Sequence, residues 1–296
     1  MLTQKFCSWL WNQMFQYAYI KALSLRCKQD FQMDLSFYER RPDRPFELLE
    51  VFDIKNVKIN NKSQPRYENL RSKCRYIDFP LIYVKKFFSK FNPHHYIEKQ
   101  WVLNQNLINL SDNKAYIEWY FQSDCYFKDF WNQISDDFKF KNKLSSKSLD
   151  IRKTIENSES VSIHIRRWDY VTSIRNRNIF WTCSLEYYKK AIKYIKEHNP
   201  NKELNFFFFS DDIPWVKENF KWDNYYFIDW NKWKNSWEDM QLMSLCKHNI
   251  IANSSFSRRW AYLNINHKKI VIAPERWLQN KKHYCPEIIP NNWIKF

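Results

Sequence analysis

The chain has 296 residues and a mass of 36.9 kDa, a size that suits one large domain or two of ordinary size. With 44% apolar and 27% charged residues it can bury a sizeable core, which excludes wholesale disorder. No apolar run approaches the roughly 18 residues of a membrane span, and residues 1–6 lack the pattern of a secretory signal. Seven cysteines without a CxxC pair argue against a disulfide framework or zinc knuckle and fit a reducing cytosol. The net charge of +16 attracts phosphate groups, whether in nucleic acid, anionic lipid or a nucleotide-activated substrate. Glycine is absent, where ordinary usage of about 7% would give roughly 20, and there are 15 tryptophans.

In the first half, residues 12–25 place Phe15, Ala18, Ala22 and Leu25 at helical spacing. Residues 79–91 are basic and apolar together, and read as a packed segment with solvated lysines or, alternatively, as a face lying on an anionic membrane. Residues 139–160 are rich in lysine and serine and mark the expected boundary, giving domains 1–150 and 151–296. Strands are then predicted over 161–166, 204–209, 225–228, 249–252 and 270–273. Helices are predicted over 184–198, 214–220, 236–245 and 256–263, with Ser236 and Asp239 forming a capping box. Alternating strands and helices at this spacing imply right-handed crossovers and a mainly parallel, doubly wound sheet.

Ligands of such sheets bind beyond the carboxyl ends of the strands. There the chain places Arg166, Arg167 and Asp169 after the first strand, Ser210, Asp211 and Asp212 after the second, and Asn253, Ser254 and Ser255 after the fourth. Arginine forks suit phosphate oxygens, serines at a helix start offer hydroxyls and free N–H groups, and a carboxylate such as Asp211 can receive the edge of a guanine-like base. Each part also has a purely structural reading: an ion pair of Arg166 or Arg167 with Asp169, or helix caps at Asp211, Asp212 and Ser254. Convergence from three strand ends is what points to a nucleoside-diphosphate site.

These segments resemble the α-1,2-fucosyltransferases of glycosyltransferase family 11. The family pattern HxRRGDY is matched by His164-Ile165-Arg166-Arg167-Trp168-Asp169-Tyr170, and GGLGNQMFQYA by the run from Ser8 to Ala18. FSDD is matched by Phe209-Ser210-Asp211-Asp212. The block from Leu242 to Asn264 matches a long family motif, with Arg259 and Trp260 departing from it. Tyr120–Ser123 and Cys183–Ile192 also look familiar, so the likeness runs in order along almost the whole chain.

The resemblance implies an α/β, GT-B-like architecture of two Rossmann-like domains with mainly parallel sheets and a donor site in the cleft between them. The first domain would face the acceptor and the second would bind the donor. It implies an inverting, metal-independent transfer of L-fucose from GDP-fucose to O2 of a terminal galactose on a glycan. Carried over residue by residue, Arg166 would bind the diphosphate, with Arg167 and Asp169 shaping its loop. Asp211 would contact guanine, while Ser254, Ser255 and Phe256 would meet phosphate and base. Asn12 and Gln13 would approach the diphosphate or acceptor, and His164 would orient the site or pack as a neutral core histidine. The general base is expected to be a carboxylate or amide of the first half. The implied setting is cell-surface glycan synthesis at the cytoplasmic face of a bacterial membrane, with at most peripheral contact with anionic lipid.

Two rivals are disfavoured. A metal-dependent transferase needs a DxD pair, and Asp211-Asp212 is contiguous; a nucleic-acid-binding protein would show a recognisable module or a basic stripe, and none appears. A third reading is an inactive sugar- or nucleotide-binding relative. It arises because Trp9, Trp11, Trp119, Trp168, Trp181 and Trp260, with Ser8, stand where the family has glycine. Repeated replacement by one bulky residue points to a codon read as Trp that specifies Gly, as in bacterial lineages that reassign UGA.

Overall fold

The computed structural model describes residues 1–61, 93–99, 102–279 and 286–296, so the basic, apolar segment 79–91 lies outside the described residues. These divide into two compact units, Met1–Lys141 and Asn142–Phe296. The polar stretch that suggested a boundary near 150 holds a helix of the second unit, Ser146–Glu156, whose Ser148 and Ile155 are buried. Its lysines, with Ser146, are the solvated face of a helix.

The first unit carries a five-stranded sheet of β1 (Leu2–Lys5), β2 (Phe31–Asp34), β3 (Lys58–Ile59), β4 (His95–Ile97) and β5 (Tyr116–Glu118), in the order β3-β2-β1-β5-β4. All four pairings are parallel. The predicted helix is present as Leu10–Cys27. Phe15, Ala18 and Ala22 are fully buried, but so are Gln13 and Gln16, so the buried surface is wider than the apolar stripe.

The second unit carries β6 (Glu159–Ile165), β7 (Leu204–Ser210), β8 (Tyr225–Ile228), β9 (His248–Ile250), β10 (Val271–Ala273) and β11 (Ile294–Lys295), in the order β11-β10-β9-β6-β7-β8. Here too every pairing is parallel. A central strand of such a sheet is covered on both faces and reads as a continuous apolar run, as in the four phenylalanines of β7. Phe206 and Phe208 join the core under the helix Leu185–Glu197, alongside Val161, Ile163, Ala191 and Ile195; Phe207 and Phe209 are buried on the other face. Each buried phenylalanine contributes about 1.5–3 kcal/mol by leaving water.

Helices follow the predicted positions to within a residue or two, except that the capping box fails. The helix Ser236–Leu245 starts without a side-chain cap, and Asp239 instead accepts a hydrogen bond from Asn231 Nδ2 at 2.8 Å. Burial pushes the Asp239 carboxyl up to about 8, against the pull of Asn231.

Among the described residues five have positive φ: Ser8 (74°), Lys28 (52°), Asn56 (58°), Trp119 (107°) and Phe121 (53°). Ser8 and Trp119 are among the positions where the related family has glycine, and they lie just beyond the ends of β1 and β5. Lys28 ends the first long helix in the left-handed conformation, its N–H returning to the Leu25 carbonyl. The Trp119–Phe121 turn is held from below by the buried Glu98, whose Oε2 accepts the N–H groups of Tyr120 (3.1 Å) and Phe121 (2.7 Å). The Phe121 ring stacks on Tyr19 with centroids 3.8 Å apart. A bulky residue held at such φ costs roughly 1–3 kcal/mol, and that strain is absent for glycine. Trp119→Gly is therefore expected to raise the melting temperature by about 2–4 °C despite the smaller side chain; calorimetry showing an unchanged or lower midpoint would contradict a glycine requirement here.

Candidate functional site

In the second unit the chain grows from β6 to β7 and β8 on one side, then returns to build β9, β10 and β11 on the other. The β6/β9 junction is thus a topological switch point, where a crevice opens at the carboxyl edge of the sheet. His164, Arg166 and Arg167 leave β6 there, and Ser254, Ser255 and Phe256 follow β9.

The register of β6 and β7 explains how the arginines are set. Ile165 pairs with Ser210, so the residues that follow on each strand face one another. Arg166 Nε lies 3.3 Å from Asp211 Oδ2, and Arg167 Nε lies 3.4 Å from Asp212 Oδ2. Arg166 Nε is also 2.9 Å from Asp169 Oδ1. Burial works against the Arg166 charge, but Asp211 and Asp169 outweigh it and hold the guanidinium above its ordinary value. Neither Nη group of Arg166 is hydrogen-bonded to the protein among the described residues, and its side chain keeps 34% of its exposure. The ion pairs at Nε therefore leave the Nη groups without a hydrogen-bond partner among the described residues. Arg167 is spent differently: its guanidinium lies over the Trp215 ring at 4.4 Å, and its partner Asp212 caps the helix Ile213–Asn219 by accepting the Trp215 N–H.

On the β9 side, the Ser254 side chain caps the helix Ser255–Leu263 by accepting the Phe256 N–H at 3.3 Å. Among the described residues the Ser255 hydroxyl and N–H find no hydrogen-bond partner, and they stand at the positive end of that helix. The two sides are tied together by the His164 and Phe256 rings, 5.2 Å apart, and by Tyr170, which donates to the Asn253 carbonyl at 3.2 Å while its ring lies 5.9 Å from the Arg166 guanidinium. The second-unit residues singled out from the sequence are thereby gathered at the ends of β6, β7 and β9.

Asn12 and Gln13 lie in the first unit, at the carboxyl end of β1, and their side-chain amides are engaged within it. Gln13 Nε2 donates to the Ser8 and Pro45 carbonyls, and its Oε1 accepts the N–H groups of Glu47 and Leu48. Asn12 donates to Ser8 Oγ and accepts from Gln122 Nε2 at 2.8 Å. Fully buried and bonded through both amide atoms, Gln13 fastens two loops together. Beside it Glu47, which sequence reading does not name, has its carboxyl pushed up to about 7 by burial and by Glu50, against the pull of the Leu10 N–H. It is a first-unit carboxylate whose charge changes near neutrality. No pattern in the residues around 47 signals this, because the shift comes from packing.

His164 is 5% exposed, its Nδ1 has no partner, and burial with the nearby Arg166 lowers its pKa to about 3. The ring is neutral at working pH and acts through its shape and packing against Phe256. Because its folded value lies below the unfolded one, it leaves stability untouched above about 6.5 and weakens the fold increasingly as pH falls toward 3. NMR at pH 5 is expected to show a neutral His164 ring, and His164→Asn is expected to flatten the acid loss of stability by about 1.4 kcal/mol per pH unit. An imidazolium signal at pH 5 would contradict this environment.

The family model Glycosyl transferase family 11 matches residues 1–296. The chain is 30% identical to the O-antigen biosynthesis glycosyltransferase WbnK of Escherichia coli, over 96% of this chain and 97% of that protein. It is also 30% identical to an Escherichia coli alpha-1,2-colitosyltransferase, over 97% and 95%. Among solved structures it resembles the fucosyltransferase NodZ from Bradyrhizobium, with a TM-score of 0.52 and 13% identity, covering 88% of this chain and 91% of that one. NodZ alpha-1,6-fucosyltransferase co-crystallized with GDP gives a TM-score of 0.54 at 14% identity, covering 88% and 91%. These likenesses show the α/β, GT-B-like fold class, in keeping with the two parallel sheets. On the match along its full length, the chain belongs to glycosyl transferase family 11.

Proposed function

We propose that the chain is a galactoside 2-α-L-fucosyltransferase, moving L-fucose from GDP-fucose to O2 of a terminal galactose on a glycan with inversion at the anomeric carbon. The single observation that carries the donor half of this reading is the unengaged Arg166 fork at the switch point shared with the free N–H of Ser255. Both would receive the diphosphate. As the C1–O bond breaks, negative charge grows on the departing GDP, and fixed donors aimed at it stabilise the transition state most. Such neutralisation needs no divalent ion. The fucose and galactose assignments draw on the resemblance of the motifs to the α-1,2-fucosyltransferases of this family, and the structural neighbour NodZ was solved soaked with GDP-fucose. The colitosyltransferase relative favours a second donor, nucleotide-activated colitose, with the same α-1,2 linkage.

In this reading the first unit faces the acceptor and the second holds the donor, and the acceptor is an O-antigen or lipopolysaccharide precursor at the cytoplasmic face of the membrane. No helix among the described residues is long and apolar enough to cross a membrane, so contact with lipid would be peripheral.

A donor screen on galactose-terminated acceptors tests the assignment, with GDP-fucose, activated colitose, GDP-mannose and UDP-sugars compared. Transfer from GDP-fucose is expected, and Arg166→Ala is expected to lower kcat by about 100-fold or more, the scale of one lost transition-state donor, without loss of folding. Transfer from a UDP-sugar alone would overturn the donor, and GDP binding without turnover on any acceptor would favour an inactive relative.

A further inference from the structure

The first sheet has a switch point of its own. The chain grows from β1 to β2 and β3 on one side and then supplies β4 and β5 on the other, so β1 and β5 are neighbours at the reversal. Ligands of such sheets settle beyond the carboxyl edge at that junction. The segments after β1 and β5 are joined there by the hydrogen bond from Gln122 Nε2 to Asn12 Oδ1.

The carboxylates at or just past the surrounding strand ends are engaged. Asp34, last in β2, is fully buried, with Oδ1 on the Ser36 N–H (2.8 Å) and Oδ2 on the Tyr116 hydroxyl (2.6 Å). Glu98, just past β4, holds the Trp119–Phe121 turn. Glu118, last in β5, is buried between His95 (3.0 Å) and Lys5 (3.9 Å). Glu47 differs. Gln13 Oε1 fixes its N–H at 3.0 Å, and its carboxylate accepts the N–H of Leu10, where the first long helix begins. The residue is partly exposed, and among the described residues it has no ion-pair partner.

We infer that Glu47 is the general base of the transfer and accepts the proton of the attacking acceptor hydroxyl. As that oxygen bonds to C1 of the donor sugar, the bond from C1 to the diphosphate breaks and its electron pair leaves with the nucleotide. The hydroxyl proton passes to a Glu47 carboxylate oxygen. The inference rests on the reading of the first unit as the acceptor side and names the base that this reading lacks. A base serves best with a pKa near the working pH; burial and the charge of Glu50 bring the Glu47 carboxyl to about 7, against the pull of the Leu10 N–H. Nearby Tyr38 stays protonated, because burial raises its pKa, and it donates to the Ser8 carbonyl at 3.1 Å. The Arg44 guanidinium lies over the Trp9 ring at 5.2 Å, with its Nε 3.8 Å from Asp43.

The test is the pH dependence of turnover for the full chain and for Glu47→Gln, with GDP affinity measured by calorimetry on both. In the unaltered chain kcat/KM is expected to fall about tenfold per pH unit below about 7, as the base gains its proton. Glu47→Gln is expected to lower kcat by about 100-fold or more, the scale of one positioned base, and to abolish this acid limb. Its GDP affinity should stay within about twofold. Glu47→Asp, which keeps the carboxylate on a shorter stem, is expected to recover part of the rate. A Glu47→Gln enzyme with near-normal rate, or with the acid limb intact, would overturn the inference. So would a parallel loss of GDP binding, which marks a structural role. Should Glu47→Gln fail to fold, Glu47→Asp decides: a lower kcat with a displaced acid limb supports the base, and an unmoved limb overturns it. An unaltered chain that binds GDP yet transfers from no donor would sink the proposed function, and the base with it.

Discussion

The pairing of β6 with β7 sets two arginines against two aspartates, and the two rungs have opposite consequences. The Arg167 guanidinium lies over the Trp215 ring and faces Asp212, a helix cap. Arg166 meets Asp211 and Asp169 at Nε, and among the described residues neither Nη group is hydrogen-bonded to the protein. A half-buried guanidinium without carboxylates would fold back toward water, and a fully bridged one would have no donors left for a ligand. Gripping one edge leaves the other edge ready for an anion, and the free N–H groups of the neighbouring helix add to the same positive field.

The centre of the second unit was legible because β6 and β7 are long and rich in apolar residues. β6 and β7 each run seven residues, and four consecutive phenylalanines leave little choice but a central parallel strand. The first-unit strands were not legible. β1 reads LTQK and β3 has two residues, and neither length nor polarity separates them from loops. Their burial comes from neighbours remote in sequence. The site shows the same division: residues placed by strand ends were found by counting, whereas the true partners of each side chain were not. Asp211 faces Arg166 because of a register that single-strand patterns do not contain, and Gln13 is consumed by backbone groups more than thirty residues away. The capping box failed because Asn231, outside the local pattern, captured Asp239.

The missing glycines carry a physical signature. Ser8 and Trp119 adopt positive φ at the ends of β1 and β5, where a parallel sheet turns sharply into its next element. The buried indole N–H of Trp260 finds no acceptor among the described residues. Backbone demand for glycine persists at the first two positions whatever residue occupies them. Arg166, Asp211 and Ser255 are not among the replaced positions, so the electrostatic account of the donor site does not depend on how those loops are decoded.

The most direct measurement is a crystal structure of the protein with GDP. Phosphate oxygens are expected about 3 Å from the Arg166 Nη groups and from the Ser255 N–H. Phosphates bound away from the β6/β9 junction would contradict the assignment of the donor site.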